Sequence, residues 1–212
     1  LLHSQLRQDD FQLYTLNEHR ETNTTSLSCY YNAVIPAFER LKQEGKIGSW
    51  GIGGLGQNQA ILEALNHEIQ PEAIQCVVNP LNSAGAIGYV DQDFDPQKIL
   101  TESQKVGIPI LGIRAVQAGA LTLKMDREPH PSGFDIRDFE DYDKAEPFRK
   151  LASEWKMNPS TLAHRYALSA EKVSSVILGV KNRSELLDCI KAESLGELNQ
   201  DQISTIDTAL SR

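Results

Sequence analysis

The chain has 212 residues, 21 basic and 29 acidic side chains, a formal net charge of -8 and 40% hydrophobic residues. These are the proportions of an ordinary soluble globular protein, long enough for one domain with a sizeable core or for a large piece of a bigger one. The acidic balance excludes nucleic acid as the main partner, because phosphate contacts need a surplus of Lys and Arg; no apolar run is long enough for a membrane span, and no signal peptide is read.

The chain opens at Leu1-Leu2-His3-Ser4, without Met, which predicts a mature or truncated product. Residues 11–16 (FQLYTL) predict a strand. Residues 30–44 predict a helix, with Val34, Phe38 and Leu41 on one face and Gly45 as its stop. A strand is expected at 47–52, a helix at 57–66 and a strand at 73–78. Asp95-Pro96 opens a helix to about Val106, with Asp95 as cap and Pro96 in first position. A strand follows at 108–113. From Arg114 to about Tyr142 the charges, prolines and glycines predict a long loop, of the kind that serves as a lid or binding loop. Helices follow near 146–156 and 160–169, the second capped at Asn158-Pro159 or Ser160. A strand at 173–178 and helices near 183–191 and 200–210 close the chain.

Five strand-helix units in series predict a parallel sheet with right-handed crossovers. A doubly wound open sheet is satisfied by five strands; a (β/α)₈ barrel needs eight. Residues 1–8 look like the end of a helix entering the first strand, which favours a barrel whose first three units are absent. Such a piece has two open sheet edges and leaves room for pairing with a second copy, a homo-oligomer.

Gly51-Ile52-Gly53-Gly54-Leu55-Gly56 satisfies G-x-G-x-x-G between a strand and a helix. The dinucleotide fingerprint also wants an acid at the end of the next strand, and that strand ends Val77-Val78-Asn79-Pro80. A glycine-rich strand end is therefore the stronger reading, and a Rossmann domain the weaker one. Gln75, an amide inside an apolar strand, must find partners: a cofactor carboxamide, or neighbouring backbone in a barrel interior. Arg114 with Gln117-Ala118-Gly119, and Gly179-Val180-Lys181-Asn182-Arg183, follow the last two strands. Barrels commonly bind phosphate there, so Arg114, Lys181 and Arg183 are candidate cations.

The histidines (His3, His19, His67, His130, His164) are scattered without ligand spacing, so no metal site is expected. There is no G-x-S-x-G nucleophile elbow. His164 reads as a surface or packing residue. Asp138, Glu140, Asp141 and Asp143 read as a solvated loop. Cys29, Cys76 and Cys189 form no CxxC pair and leave one over; each reads as a small buried hydrophobe in a reducing cytoplasm.

The segments SQLRQDDFQLYTLN, IPAFERLKQEGKIGSWGIGG, IQCVVNPLN, GIPILGIRAVQAGALT and SVILGVKNRSELLDCI, in that order, resemble the aldo-keto reductases. The likeness is greatest to a bacterial branch with IR-x-x-x-AGAL after strand seven. The resemblance implies a TIM barrel, (β/α)₈, of aldo-keto reductase type. Residues 1–212 would form a single, N-terminally truncated domain holding strands four to eight and their helices. It implies NADP (NADPH), or NAD, bound at the C-terminal face, and a small-molecule aldehyde or ketone as substrate. The nicotinamide gives hydride to the carbonyl carbon and a tyrosine gives the proton, tuned by a lysine and an aspartate. Those three fall upstream of Leu1, so no residue here is assigned to them.

The family histidine matches Asn17, which donates a hydrogen bond but carries no proton; His19, two residues on, is the substitute. The usual Ser/Thr-Asn pair matches Gly53-Gly54, without side chains. Gln75 matches the carboxamide-binding glutamine, and Ile113 the aromatic that stacks on nicotinamide, with Arg114 next. Gly119 and Gly179 border the phosphate segments. Lys181 falls where Arg or Lys is common, Glu185 where Arg or Gln is, and Cys189 where Asn is. Glu185 would repel a 2′-phosphate, whereas Lys181 and Arg183 turned toward it would hold NADPH. In that case Lys181→Ala weakens NADPH more than NADH. The resemblance implies an NAD(P)H-dependent carbonyl reductase or, given Asn17, Gly53 and Gly54, a catalytically impaired nucleotide-binding or interaction protein of the same ancestry.

Overall fold

The computed structural model describes residues 26–87 and 93–211. The expected strand at 11–16, Asn17 and His19 lie outside the described residues. By its contacts the chain divides into two compact units; one runs to Cys76 and resumes through Leu111, the other takes up at Val77 and again from Gly112 onward.

In the first unit the expected helix at 30–44 begins earlier and in three parts: α1 (Leu27–Cys29), a π-helical stretch (Tyr30–Val34) and α2 (Ile35–Gln43). Ser26 starts it by accepting the Cys29 N–H at 3.1 Å. Tyr30 and Ile35 are its buried anchors, and Tyr30 meets Trp50 edge-on. Trp50 stacks on Phe38 and donates from Nε1 to Glu39 Oε1 at 2.6 Å. The expected strand at 47–52 is reduced to β1 (Ile52–Gly53), parallel to β2 (Ile74–Val77) in the register Ile52↔Ile74, Gly53↔Gln75. Helix α3 (Asn58–Leu65) turns Ala60, Ile61, Ala64 and Leu65 inward at helical spacing.

Helix α4 (Pro96–Val106) is as expected: Asp95 Oδ1 accepts the Gln97 N–H at 3.0 Å and Pro96 stands in the first turn. Burying Ile61, Leu65, Ile74, Ile99 and Ile110 contributes about 1.5–3 kcal/mol each. The glycines at 51–54 have a packing reason. A Cβ at Gly51 or Gly54 would lie 2.5 Å from the carbonyl oxygen of Ala73 or Gln75, so the close approach of parallel backbone explains this run.

β3 (Ile110–Ile113) and β4 (Val173–Val176) complete a sheet of order β1-β2-β3-β4. In the second unit, Val78 N–H donates to Ile113 O at 3.0 Å and Ile177 N–H to Gly112 O at 2.8 Å. Its helices are α5 (Ile136–Lys144), α6 (Glu146–Glu154), α7 (Pro159–Leu168), α8 (Arg183–Leu195) and α9 (Gln200–Ala209). Leu121, Phe148, Leu151, Leu162, Leu198 and Ile206 form its core. Asn158, not Ser160, caps α7, and Asn199 with Gln202 forms a capping box on α9.

Three expectations are corrected here. The long loop from Arg114 to Tyr142 contains a 3₁₀ turn (Gln117–Gly119) and, at its far end, α5. The acidic run is helical, and Asp138 and Asp141 are buried because basic and amide partners face them. Cys29 is exposed, whereas Cys76 and Cys189 are buried. Among the described residues no helix is long and apolar enough to cross a membrane, and no group of His, Cys, Asp and Glu has metal-binding geometry.

Candidate functional site

The chemistry concentrates in the second unit, in the segments that leave the C-terminal ends of β3 and β4. The β3 segment turns sharply: Arg114, Gln117 and Ala118 hold left-handed backbone, at φ 56°, 46° and 49°. A buried polar network holds that shape. Arg114 Nε donates to Gln117 Oε1 at 2.8 Å, and its Nη2 lies 3.3 Å from Asp138 Oδ1. Gln117 Nε2 donates to Asp141 Oδ2 at 2.6 Å, which also accepts from Ser83 Oγ at 2.5 Å. Arg127 ties the far end, donating to Ala118 O and Asp138 Oδ2, each at 2.8 Å. Gly85, at φ +63°, sits against this network with no room for a side chain.

Beside it lies a cavity of about 530 Å³, within the range that small-molecule sites occupy. Its walls come from Val116, Gly119 and Leu123 after β3, Gly179 and Val180 after β4, and the facing sides of α7 and α8. Lys181 and Asp126, both on its lining, form a hydrogen-bonded ion pair that joins the two segments. Lys181 holds the Asp126 carboxyl below the usual carboxylate range.

At the start of α8, Asn182 Oδ1 accepts the Glu185 N–H at 3.1 Å, and Glu185 reaches back. Its Oε2 accepts the Lys181 N–H at 2.7 Å and its Oε1 the Asn182 Nδ2 at 2.8 Å. One turn on, Asp188 Oδ2 accepts from Ser160 Oγ at 2.9 Å and Asn158 Nδ2 at 3.1 Å. His164 Nδ1 is 2.7 Å from Ser160 O, and its Nε2 is 3.6 Å from Cys189 Sγ. Burial lowers the His164 pKa, so the imidazole is neutral at neutral pH. Burial, with the Asp188 charge second, raises that of Cys189.

Of the residues expected from the sequence, Gly119, Gly179, Lys181 and Glu185 line this cavity. Arg114 faces Gln117 and Asp138. Ile113 is buried as the last residue of β3, and Arg183 is exposed as the first of α8. Gly53, Gly54 and Gln75 lie in the first unit; all three are buried, and Gly54 N–H donates to Gln75 O at 2.7 Å. Asp126, Asp188, Ser160 and His164 were missed as site residues. Part of that signal was available, because Glu185, Asp188 and Cys189 fall at i, i+3 and i+4 of one helix face.

Comparison with known proteins agrees with this architecture. Residues 3–211 match the model of the Aldo/keto reductase family. The chain is 25% identical over 189 residues to L-galactose dehydrogenase of Arabidopsis thaliana, covering 87% of this chain and 55% of the plant enzyme. It thus spans about half the length of that curated relative. Among solved structures it is similar to the apo form of aldo-keto reductase AKR11C1 from Bacillus halodurans, with a TM-score of 0.64 and 20% identity, covering 94% of this chain and 62% of that one. It is likewise similar to the glycerol dehydrogenase AKR11B4 from Gluconobacter oxydans, with a TM-score of 0.61 and 19% identity, covering 95% and 57%. The described strands and helices are therefore part of a (β/α)₈ barrel, and the Rossmann alternative for the glycines at 51–56 is set aside.

Proposed function

The chain belongs to the aldo/keto reductase family, and from that premise we propose that it serves an NAD(P)H-dependent oxidoreductase that reduces aldehydes or ketones. The observation that carries this reading is the cavity at the ends of β3 and β4. Its donor set suits the adenosine end of a nicotinamide dinucleotide. Val116, Leu123 and Val180 offer apolar wall to a flat base, while Gly119 and Gly179 leave backbone bare. A Cβ at Gly179 would meet no atom within 4 Å, so the cavity is open in front of it. Lys124 and Lys181 supply cations on the lining.

A bound reduced nicotinamide supplies hydride to the carbonyl carbon. The chain's own residues bind and orient. We assign Gly53, Gly54 and Gln75 to the carboxamide end and Ile113 to packing on the ring. Gly119, Gly179, Lys181, Arg183 and Glu185 are assigned to the adenosine and phosphate end, and Arg114 to shaping the segment that borders it. Asn17 is assigned to donate a hydrogen bond to the carbonyl oxygen, with His19 as substitute; neither role makes Asn17 a proton donor. The three free cysteines fit the reducing cytoplasm in which we place the protein.

The test is a titration with NADH and NADPH, followed by the loss of reduced nicotinamide absorbance with a panel of aldehydes and ketones. Carbonyl-dependent oxidation is expected. Binding with no oxidation by any carbonyl would support the second reading, a catalytically impaired nucleotide-binding protein, which the replacements Asn17, Gly53 and Gly54 favour. Absence of binding would overturn both.

A further inference from the structure

Resting on the nucleotide reading above, we propose that the cavity selects a dinucleotide whose adenosine ribose bears free 2′- and 3′-hydroxyls, NAD(H), over NADP(H), with Glu185 as the selecting residue.

A 2′-phosphate carries nearly two negative charges and needs cations or free N–H groups. Three carboxylates line the cavity, Asp126, Glu185 and Asp188. The N-terminal end of α8 would otherwise attract a phosphate through its amides and dipole. There Glu185 places its own carboxylate, held at both oxygens by the Lys181 N–H and the Asn182 side chain. A carboxylate that belongs to the chain therefore stands beside the helix terminus.

Two of the three Lys and Arg side chains on the lining are directed elsewhere; the third, Lys124, is exposed. Lys181 is paired with Asp126. Arg127 is turned to Asp135, Asp138 and the Ala118 carbonyl. A phosphate drawing on Lys181 would displace that exposed pair at little cost, but it would still meet the Glu185 charge, which carries the discrimination. A ribose diol has the opposite needs. It offers two O–H donors, and a fixed carboxylate is an acceptor for both, the same chemistry by which an acidic residue reads ribose hydroxyls in other dinucleotide sites. On this proposal NAD(H), the second of the two cofactors expected from the sequence, takes precedence over NADP(H).

Calorimetric titration of the full chain with NADH and NADPH tests the inference. NADH is expected to bind at least about tenfold tighter, the worth of one charge-assisted hydrogen bond. In Glu185→Gln that ratio should fall below about threefold, mainly because NADPH gains. A parallel titration of the unaltered chain with 2′-deoxy-NAD needs no variant and should show about tenfold weaker binding than NAD. NADPH binding as tightly as NADH, or 2′-deoxy-NAD binding as well as NAD, overturns the selection by Glu185 and leaves the nucleotide reading standing. Binding of no dinucleotide overturns the nucleotide reading itself, and the selection with it.

Discussion

The segments that leave β3 and β4 both carry ion pairs, and the two pairs live in opposite surroundings. After β3, the side chains of Arg114 and Asp138 are 23% and 8% exposed, and amides and hydroxyls satisfy what they leave over. After β4, the side chain of Lys181 is 67% exposed, and its partner Asp126 44%. Removing one member of a buried pair strands a charge away from water, whereas an exposed pair exchanges one solvation for another. The β3 network therefore fixes backbone, including the left-handed φ of Arg114, Gln117 and Ala118. The β4 pair joins two segments at little cost, and a ligand can rearrange it.

Four measurements test this contrast. Asp138→Ala should have the largest effect, about 3–5 kcal/mol lost in urea unfolding, because Arg114 and Arg127 lose a buried acceptor. A loss no larger than that of a surface substitution would mean the network is not what holds the β3 segment. Gly85→Ala comes next. Its Cβ would stand 2.1 Å from Asp138 Oδ1 and Gln117 Nε2, at φ +63°. The expected cost is about 2–3 kcal/mol, against about 1 kcal/mol for Gly133→Ala, whose φ is similar but whose surroundings are open. Equal losses would show that backbone strain, not the network, sets the cost.

His164 gives the third. Its folded-state pKa is depressed by burial, so the unfolded chain takes up the proton first as the pH falls. The contribution is present above the ordinary value of 6.5 and is lost as the pH falls through the lowered folded value. Urea midpoints at about pH 7.5 and about pH 5 should differ less in His164→Gln than in the unaltered chain. Lys181→Ala should do least to the fold, under about 1 kcal/mol. It should also weaken NADH and NADPH alike, since its partner is Asp126. A selective loss of NADPH in the same titration would restore the phosphate-binding role expected from the sequence.

What could be read in the sequence depended on the range of the interaction. The α4 cap at Asp95-Pro96 is settled within three residues, and it appears where the pattern placed it. The order of strands and helices from β1 onward follows from hydrophobic periodicity and was legible for the same reason. Helix α5 was not. Its inward face carries Asp138 and Asp141, which a local reading assigns to solvent; their partners Arg114, Gln117 and Ser83 lie 21 to 58 residues away. The shortening of the strand at 47–52 was equally hidden: Trp50 O still accepts the Glu72 N–H at 2.9 Å, but the Trp50 N–H turns to the Glu72 side chain at 3.2 Å while its ring packs on Phe38 and Tyr30. In the site, Lys181 and Glu185 were legible as residues, but their engagement with Asp126 and the α8 terminus required the fold to bring a third segment beside them.

The pair His164–Cys189 has one more consequence. Ser160 O is a carbonyl and only accepts, so the His164 proton resides on Nδ1 and the bare Nε2 faces the Cys189 thiol. Both side chains line the cavity. The ring is thus held in one tautomer, and its two nitrogens give well-separated resonances. A molecule entering the cavity would disturb the Nε2 signal while Nδ1, anchored to backbone, stays as an internal reference. With nitrogen-15 in its histidines, the protein carries its own spectroscopic probe of occupancy, readable without substrate turnover.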